Sequence, residues 1–172
     1  MTDIKRTEQE KVFEELMSYK EIIFQICLGF SKNPWDAEDL TQDVYLKAFR
    51  NIHSLNDPSF SREWLFKIAR NTCFDFGRKL RIRRIFQLKS KGETKEDRTP
   101  ESLVAYGEQL QVLKKAVKQL PKKHKEVFVL REYGNLSYQE IAAVLGIKNG
   151  TVMSRLKRAR QAVINQIREE IQ

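Results

Sequence analysis

A chain of 172 residues with 41% hydrophobic side chains suits one medium domain or two small ones, and it is apolar enough to build a core, which excludes wholesale disorder. No apolar run reaches the roughly 18–20 residues that a membrane span needs, and the opening MTDIKRTEQEK is no signal peptide. Thirty-two Lys and Arg against 23 Asp and Glu leave a net charge of +9, which points to a polyanionic partner.

Seven glycines and four prolines favour long helices over a turn-rich β fold. From Thr7 to Phe30, Phe13, Leu16, Ile23, Ile26 and Cys27 recur at helical spacing, predicting one helix. Asn33-Pro34 breaks the pattern. Asp36 is then placed to cap a second helix, with Ala37, Leu40, Val44, Ala48 and Ile52 on one face. That helix carries Asp36, Glu38, Asp39 and Asp43 with no cation before Lys47. Such a start compensates the helix macrodipole, or offers an acidic face to a basic protein surface. A metal-dependent nuclease is the third reading of clustered carboxylates, but no histidine and no second acidic cluster supports it.

Residues 54–61, SLNDPSFS, predict a loop. A third helix follows from about Arg62 to Arg84, with Trp64, Leu65, Ile68, Ala69 and Cys73 inward. Its end is basic: Arg78, Lys79, Arg81, Arg83 and Arg84 follow the aromatic-rich NTCFDFG. Rings interleaved with cations suit single-stranded nucleic acid, whose bases stack while its phosphates are neutralised. The stretch KSKGETKEDRT, residues 89–99, has no apolar residue and predicts a solvated tether.

Thr99-Pro100-Glu101 opens another helix, carried by Leu103, Leu110, Leu113 and Val117 and ended at Leu120-Pro121. Lys122 to Tyr133 forms the next, stopped by Gly134-Asn135. Ser137 and Glu140 then frame a capping box. The expected fold is all-α: two small helical domains, residues 5–85 and 100–172, joined by a flexible polar linker over 86–99. Cys27 and Cys73 predict buried free thiols, and His53 and His124 a solvated surface.

In the second domain, Ile141, Ala142, Leu145, Ile147, Val152 and Leu156 space two short helices across a turn at Gly146, a helix-turn-helix. Asn149 is placed to cap the second helix. With Val152, Leu156, Ala159 and Val163 inward, Thr151, Ser154, Arg155 and Arg158 point outward. Five cations and no acid lie between Lys148 and Arg160, so this helix suits the major groove of duplex DNA.

Two separate blocks, "DAEDLTQDVYLKAF" with "REWLFKIARNTCFDFGRK" and then "LKKAVKQLPKKHKEVFVLREYGNLSYQEIAAVLGIKNGTVMSRLKRAR", resemble a bacterial RNA polymerase sigma factor of the small extracytoplasmic-function type. That type keeps the two DNA-reading domains called regions 2 and 4. The resemblance implies that Glu38, Asp39, Gln42 and Asp43 dock on the clamp coiled coil of the polymerase's largest subunit. It implies that Asn56, Asp57, Ser59, Phe60, Ser61, Arg62, Trp64, Asn71, Arg78 and Lys79 melt and read the −10 element. Thr151, Ser154, Arg155, Arg158 and Arg160 would read the −35 element, and Met153 stands where many relatives carry a cation.

The partners so implied are core RNA polymerase, promoter DNA and an anti-sigma factor, in the cytoplasm, with no cofactor, no metal and no catalytic residue. The alternative is a helix-turn-helix regulator that never docks on polymerase, for which the acidic helix would have no use. Between the two domains, the tether would let them close on each other or around an inhibitory partner, covering the basic faces.

Overall fold

The computed structural model describes the backbone of residues 2–31, 33–89 and 108–171, and side chains within 9–82 and 111–170. Eight α-helices follow one another in these segments: α1 (Thr2–Met17), α2 (Lys20–Phe30), α3 (Pro34–Asn51), α4 (Ser61–Lys89), α5 (Glu108–Gln119), α6 (Lys122–Glu132), α7 (Tyr138–Leu145) and α8 (Asn149–Ile171). Of the linker expected over 86–99, residues 90–99 lie outside the described residues, as do the Thr99-Pro100-Glu101 start and Leu103.

The single helix expected over 7–30 is two. Ser18 ends α1 by turning its own hydroxyl onto the Glu15 carbonyl at 2.6 Å, while the Ser18 and Tyr19 amides reach back only three residues. Serine competes for backbone bonds in this way, and the tightened turn stops the helix. A distant group helps hold the break: the buried Tyr45 hydroxyl donates to the Leu16 carbonyl at 2.9 Å. The second helix is also capped differently. Asn33, not Asp36, is the N-cap of α3, its side chain accepting from the Asp36 amide at 2.8 Å, with Pro34 in the first helical position.

Inward positions of α3 are Ala37, Leu40, Thr41, Val44, Tyr45 and Ala48. They pack against Leu65, Phe66, Ala69 and Cys73 of α4 and Ile23, Ile26 and Cys27 of α2 in one apolar cluster. Fully burying each Leu, Ile or Phe contributes about 1.5–3 kcal/mol, so this layer carries most of the stability of the first half. Two short 3-10 turns, Ile52–Ser54 and Pro58–Phe60, fill the expected loop. At its far end α4 runs to Lys89, past the expected Arg84. Residues 85–89, Ile-Phe-Gln-Leu-Lys, hold no helix breaker, and the first glycine comes at 92.

The two halves are packed together. α6 lies on α2 so closely that a Cβ at Gly29 would meet Val129 Cγ1 at 2.6 Å, and one at Gly134 would meet Ile26 Cγ1 at 2.9 Å. α7 lies on α4. The seam is also polar, and it determines which candidate DNA-reading residues are free.

Candidate nucleic-acid interface

Local chemistry builds the helix-turn-helix. The Ser137 amide donates to Glu140 Oε2 at 2.7 Å, and the Glu140 amide donates to Ser137 Oγ at 3.2 Å, a complete capping box that starts α7. Gly146 then adopts φ +64°, a left-handed turn that a side chain would strain, and the chain reverses into α8. Asn149 is the first residue of α8 and not its cap; the Lys148 carbonyl accepts from the Thr151 and Val152 amides. Val152, Leu156, Ala159 and Val163 are buried as expected.

On the outer side of α8, Ser154 and Arg158 are exposed, and Thr151 and Arg155 are half-buried. Among the described residues no carboxylate pairs with Arg155 or Arg158, so both guanidinium groups are open to an anion. Met153 is more than half exposed beside them. Arg160 differs. Its Nε and Nη2 donate to Glu132 Oε1 on α6 at 2.9 and 2.6 Å, and this bonding raises its already high pKa. Thus four of the five expected −35 residues share one open face, and the fifth is tied to α6.

The expected −10 residues divide in the same way. Asn56, Asp57, Ser59 and Phe60 are exposed on the loop, with the Phe60 ring one helical turn ahead of half-buried Trp64. The Asp57 carboxylate shapes that loop, accepting from the Ser59 hydroxyl at 2.7 Å and amide at 2.9 Å, bonds that lower its pKa. Ser61 is buried at the start of α4, its hydroxyl donating to Glu15 at 3.4 Å, and is not available to DNA. Arg78 and Lys79 are exposed farther along, Arg78 beside Asp75 at 3.0 Å.

Arg62 is taken by the seam. Its guanidinium stacks 5.4 Å from both the Tyr19 and Phe66 rings and pairs with Glu140 of α7 at 2.5 Å. Burial opposes ionisation of Glu140, but the two Ser137 bonds and Arg62 outweigh it and hold the carboxyl below its usual range. Next to it, Arg70 donates to buried Glu126 of α6 and to the side chain of Asn71, another expected −10 residue. Lys122 and Lys125 of α6 sit over the Phe74 and Phe30 rings at 4.3 and 5.4 Å. Closure therefore covers part of the α4 surface while leaving the leading turns of α8 open.

The α3 surface is neither basic nor covered. Glu38, Asp39, Gln42 and Asp43 are all exposed, and so are Trp35 at 67%, Leu46 at 52% and Phe49 at 64%. The apolar members were missed from the sequence, although Trp35, Asp39, Gln42 and Leu46 fall on one stripe at steps of four, three and four. Large exposed apolar groups among carboxylates mark a protein contact. Also missed were Arg70, Glu126 and Glu132, and the pairing of the capping-box Glu140 with Arg62, all of which depend on packing between distant segments.

Comparison with known proteins agrees with this division. Residues 16–83 match the family Sigma-70 region 2, and residues 110–163 match Sigma-70, region 4. The chain is 33% identical to the ECF RNA polymerase sigma-E factor of Escherichia coli (strain K12), over 77% of this chain and 74% of that protein. It is 29% identical to the ECF RNA polymerase sigma factor SigW of Bacillus subtilis (strain 168), over 96% of this chain and 94% of that one. Among solved structures, the sigma factor RpoE in complex with the anti-sigma factor NepR from Bartonella quintana superposes with a TM-score of 0.69 at 28% identity, covering 98% of both chains. With these likenesses spanning both halves in the same order, the chain belongs to the ECF sigma factors of RNA polymerase, a family of transcription initiation factors.

Proposed function

We propose that this chain directs core RNA polymerase to promoters by docking through α3 and reading DNA through the α4 surface and α8. The observation that carries this is the presence of surfaces of opposite character on one chain. The α3 face is acidic and apolar and would repel a phosphate backbone, whereas Arg158, Arg78 and Lys79 are exposed cations on other helices, with half-buried Arg155 beside Arg158. A helix-turn-helix regulator acting alone would have no use for the exposed Trp35 and Leu46 among these carboxylates.

In this reading residues 5–89 dock and open DNA, the segment from 90 to 99 tethers, and 100–172 read the −35 element, the first part reaching past the expected boundary at 85 because α4 runs to Lys89. Glu38, Asp39, Gln42 and Asp43, with Trp35, Leu46 and Phe49, meet the clamp coiled coil of the largest subunit. Unstacking a promoter base costs a few kcal/mol, which a stacking pocket offsets. Phe60 and Trp64 supply the rings, Asp57 fixes the loop that presents them, and Arg78 and Lys79 follow the strand. Arg155 and Arg158 read base edges or phosphates in the major groove, since an arginine fork suits both. The polymerase supplies all covalent chemistry, so the chain needs no cofactor, and it works in the cytoplasm. Because RpoE has been solved with an anti-sigma factor, an inhibitor of that class is proposed for this chain too.

In vitro transcription with core enzyme over a promoter library tests the proposal. Transcripts that start at a shared −35/−10 pair only when the chain is added would support it. Failure of the purified chain to retain core polymerase in a pull-down would overturn it.

A further inference from the structure

Cys27 of α2 and Cys73 of α4 are the only two cysteines in the chain, and the fold brings them together. The Cys73 thiol donates to Cys27 Sγ at 3.8 Å, sulfur against sulfur, and both residues are buried. Forty-six residues of sequence separate them, so their contact follows from helix packing and not from local chain geometry. We propose that Cys27 and Cys73 are a redox-active pair which a small peroxide converts, inside the folded chain, to an intramolecular disulfide joining α2 to α4.

The chemistry balances. The Cys27 thiolate attacks a peroxide oxygen, the O–O bond breaks, and Cys27–SOH forms with release of hydroxide, or of an alkoxide that takes a proton from water when the peroxide is organic. Cys73 then attacks the sulfenyl sulfur. The S–S bond forms, the S–OH bond breaks, and the Cys73 proton leaves with the hydroxide as water. Two thiols are oxidised by two electrons and one peroxide is reduced. The surroundings suit this division of labour. The Cys73 S–H bond lowers the Cys27 pKa against the opposing effect of burial, and the Thr41 hydroxyl lowers it further. The same bond and burial raise that of Cys73, leaving it the protonated partner, with Lys125 and Lys47 opposing from nearby. Among the described residues no third His, Cys, Asp or Glu joins them, so a metal site is not the better reading.

Position gives the bond a consequence. Cys27 follows Ile26, which lies against Gly134 of the second half, and Cys73 lies one turn beyond Arg70, which pairs with Glu126. The disulfide would tie together the two helices that receive α6.

The full chain, folded and reduced, is exposed to hydrogen peroxide, quenched, denatured and alkylated before intact-mass and peptide analysis under non-reducing conditions. The expected product is a monomer that has lost two hydrogens, resists alkylation, links the Cys27 and Cys73 peptides, and reverts with dithiothreitol. Circular dichroism during oxidation is expected to keep the helical signal, and Cys27→Ala is expected to abolish the product. The wild-type measurement alone decides the question if that variant does not fold. The proposal is overturned by thiols that stay fully alkylatable, by sulfinic acids or intermolecular dimers as the main product, or by a crosslink that forms only in urea.

Discussion

Arg70 on α4 places Nε and Nη2 on a single oxygen of Glu126 on α6, at 3.0 and 2.6 Å, and so bonds the first half of the chain to the second. Glu126 is only 4% exposed, whereas the Arg70 side chain keeps about a third of its surface in water and lies 5.0 Å from the centre of the Phe74 ring. A buried carboxylate needs such a partner, because without one its desolvation is uncompensated.

Glu126→Gln keeps the shape and removes the charge. It is expected to cost roughly 1–3 kcal/mol, less than a fully buried pair because Arg70 remains hydrated. A double-mutant cycle with Arg70→Met in thermal unfolding measures the coupling. Strict additivity of the two substitutions would show that the pair contributes nothing beyond its separate members.

Docking rests on both chemistries of α3. Asp39→Arg with Asp43→Arg inverts the charge of the face and is expected to slow association with core polymerase and weaken it. Leu46→Ala removes exposed apolar area and should act mainly on dissociation. Groups that end up buried in the complex cost about 2–5 kcal/mol when their partners are left unpaired. Titration of labelled core enzyme reads both effects, and an unchanged affinity for the double arginine variant would rule the face out.

For α8, Arg155→Ala is expected to cost about 1–3 kcal/mol and to relax preference at one base pair of the −35 element. Arg160 gives a contrast, since its guanidinium is already bonded to Glu132. Arg160→Ala should therefore lower folding stability along with affinity, and weaken all sequences alike. Base-preference profiles that are identical for wild type and Arg155→Ala would argue against edge reading.

The second half of the fold was legible in sequence because its signals are local. Ser137, Glu140 and Gly146 specify a start and a stop within ten residues, and the buried Val152, Leu156 and Ala159 repeat at helical spacing. The acidic α3 face was visible for the same reason. What escaped depends on groups far apart in the chain. The break between α1 and α2 leans on the Tyr45 hydroxyl, and the cap of α3 is Asn33, where the sequence suggests Asp36, whose amide donates to Asn33. Arg62 carries the right charge for DNA, yet its partner Glu140 comes from the other half. Sequence spacing is silent on such pairs.

Tyr45 gives a pH signature of the first half. Burial, with a smaller effect of Cys27, pushes its hydroxyl up to about 12 from an ordinary 10.0, because the buried site disfavours the charged phenolate. A raised pKa means stability that is complete below pH 10 and lost as pH climbs through 12. The loss is expected to be roughly 1–3 kcal/mol, at about 1.4 kcal/mol per pH unit between the unfolded and folded values, discounted for partial solvation. Tyr45→Phe should cost about 1 kcal/mol at neutral pH through the missing bond and flatten the alkaline slope. Urea melts on either side of the tyrosine titration measure both, and parallel slopes for the two proteins would mean that another group carries the alkaline loss.

The seam engages Arg62 and the neighbourhood of Asn71, while Ser154 and Arg158 on α8 stay exposed. Closure should therefore suppress binding to single-stranded −10 sequence more than binding to −35 duplex. Gly29→Ala separates the two without touching a DNA-facing residue. Within α2 the substitution favours the helix by about 0.5–1 kcal/mol, but its Cβ would sit 2.6 Å from Cγ1 of fully buried Val129 and 3.2 Å from the Tyr133 ring, so the contact must shift and the halves are expected to part. The variant is expected to bind a −10 non-template oligonucleotide several-fold more tightly than wild type, with little change on a −35 duplex at the same salt. Fluorescence anisotropy at matched ionic strength measures both affinities. If Gly29→Ala leaves the single-strand affinity where it was while small-angle scattering shows the chain opened, the seam does not mask the −10 surface.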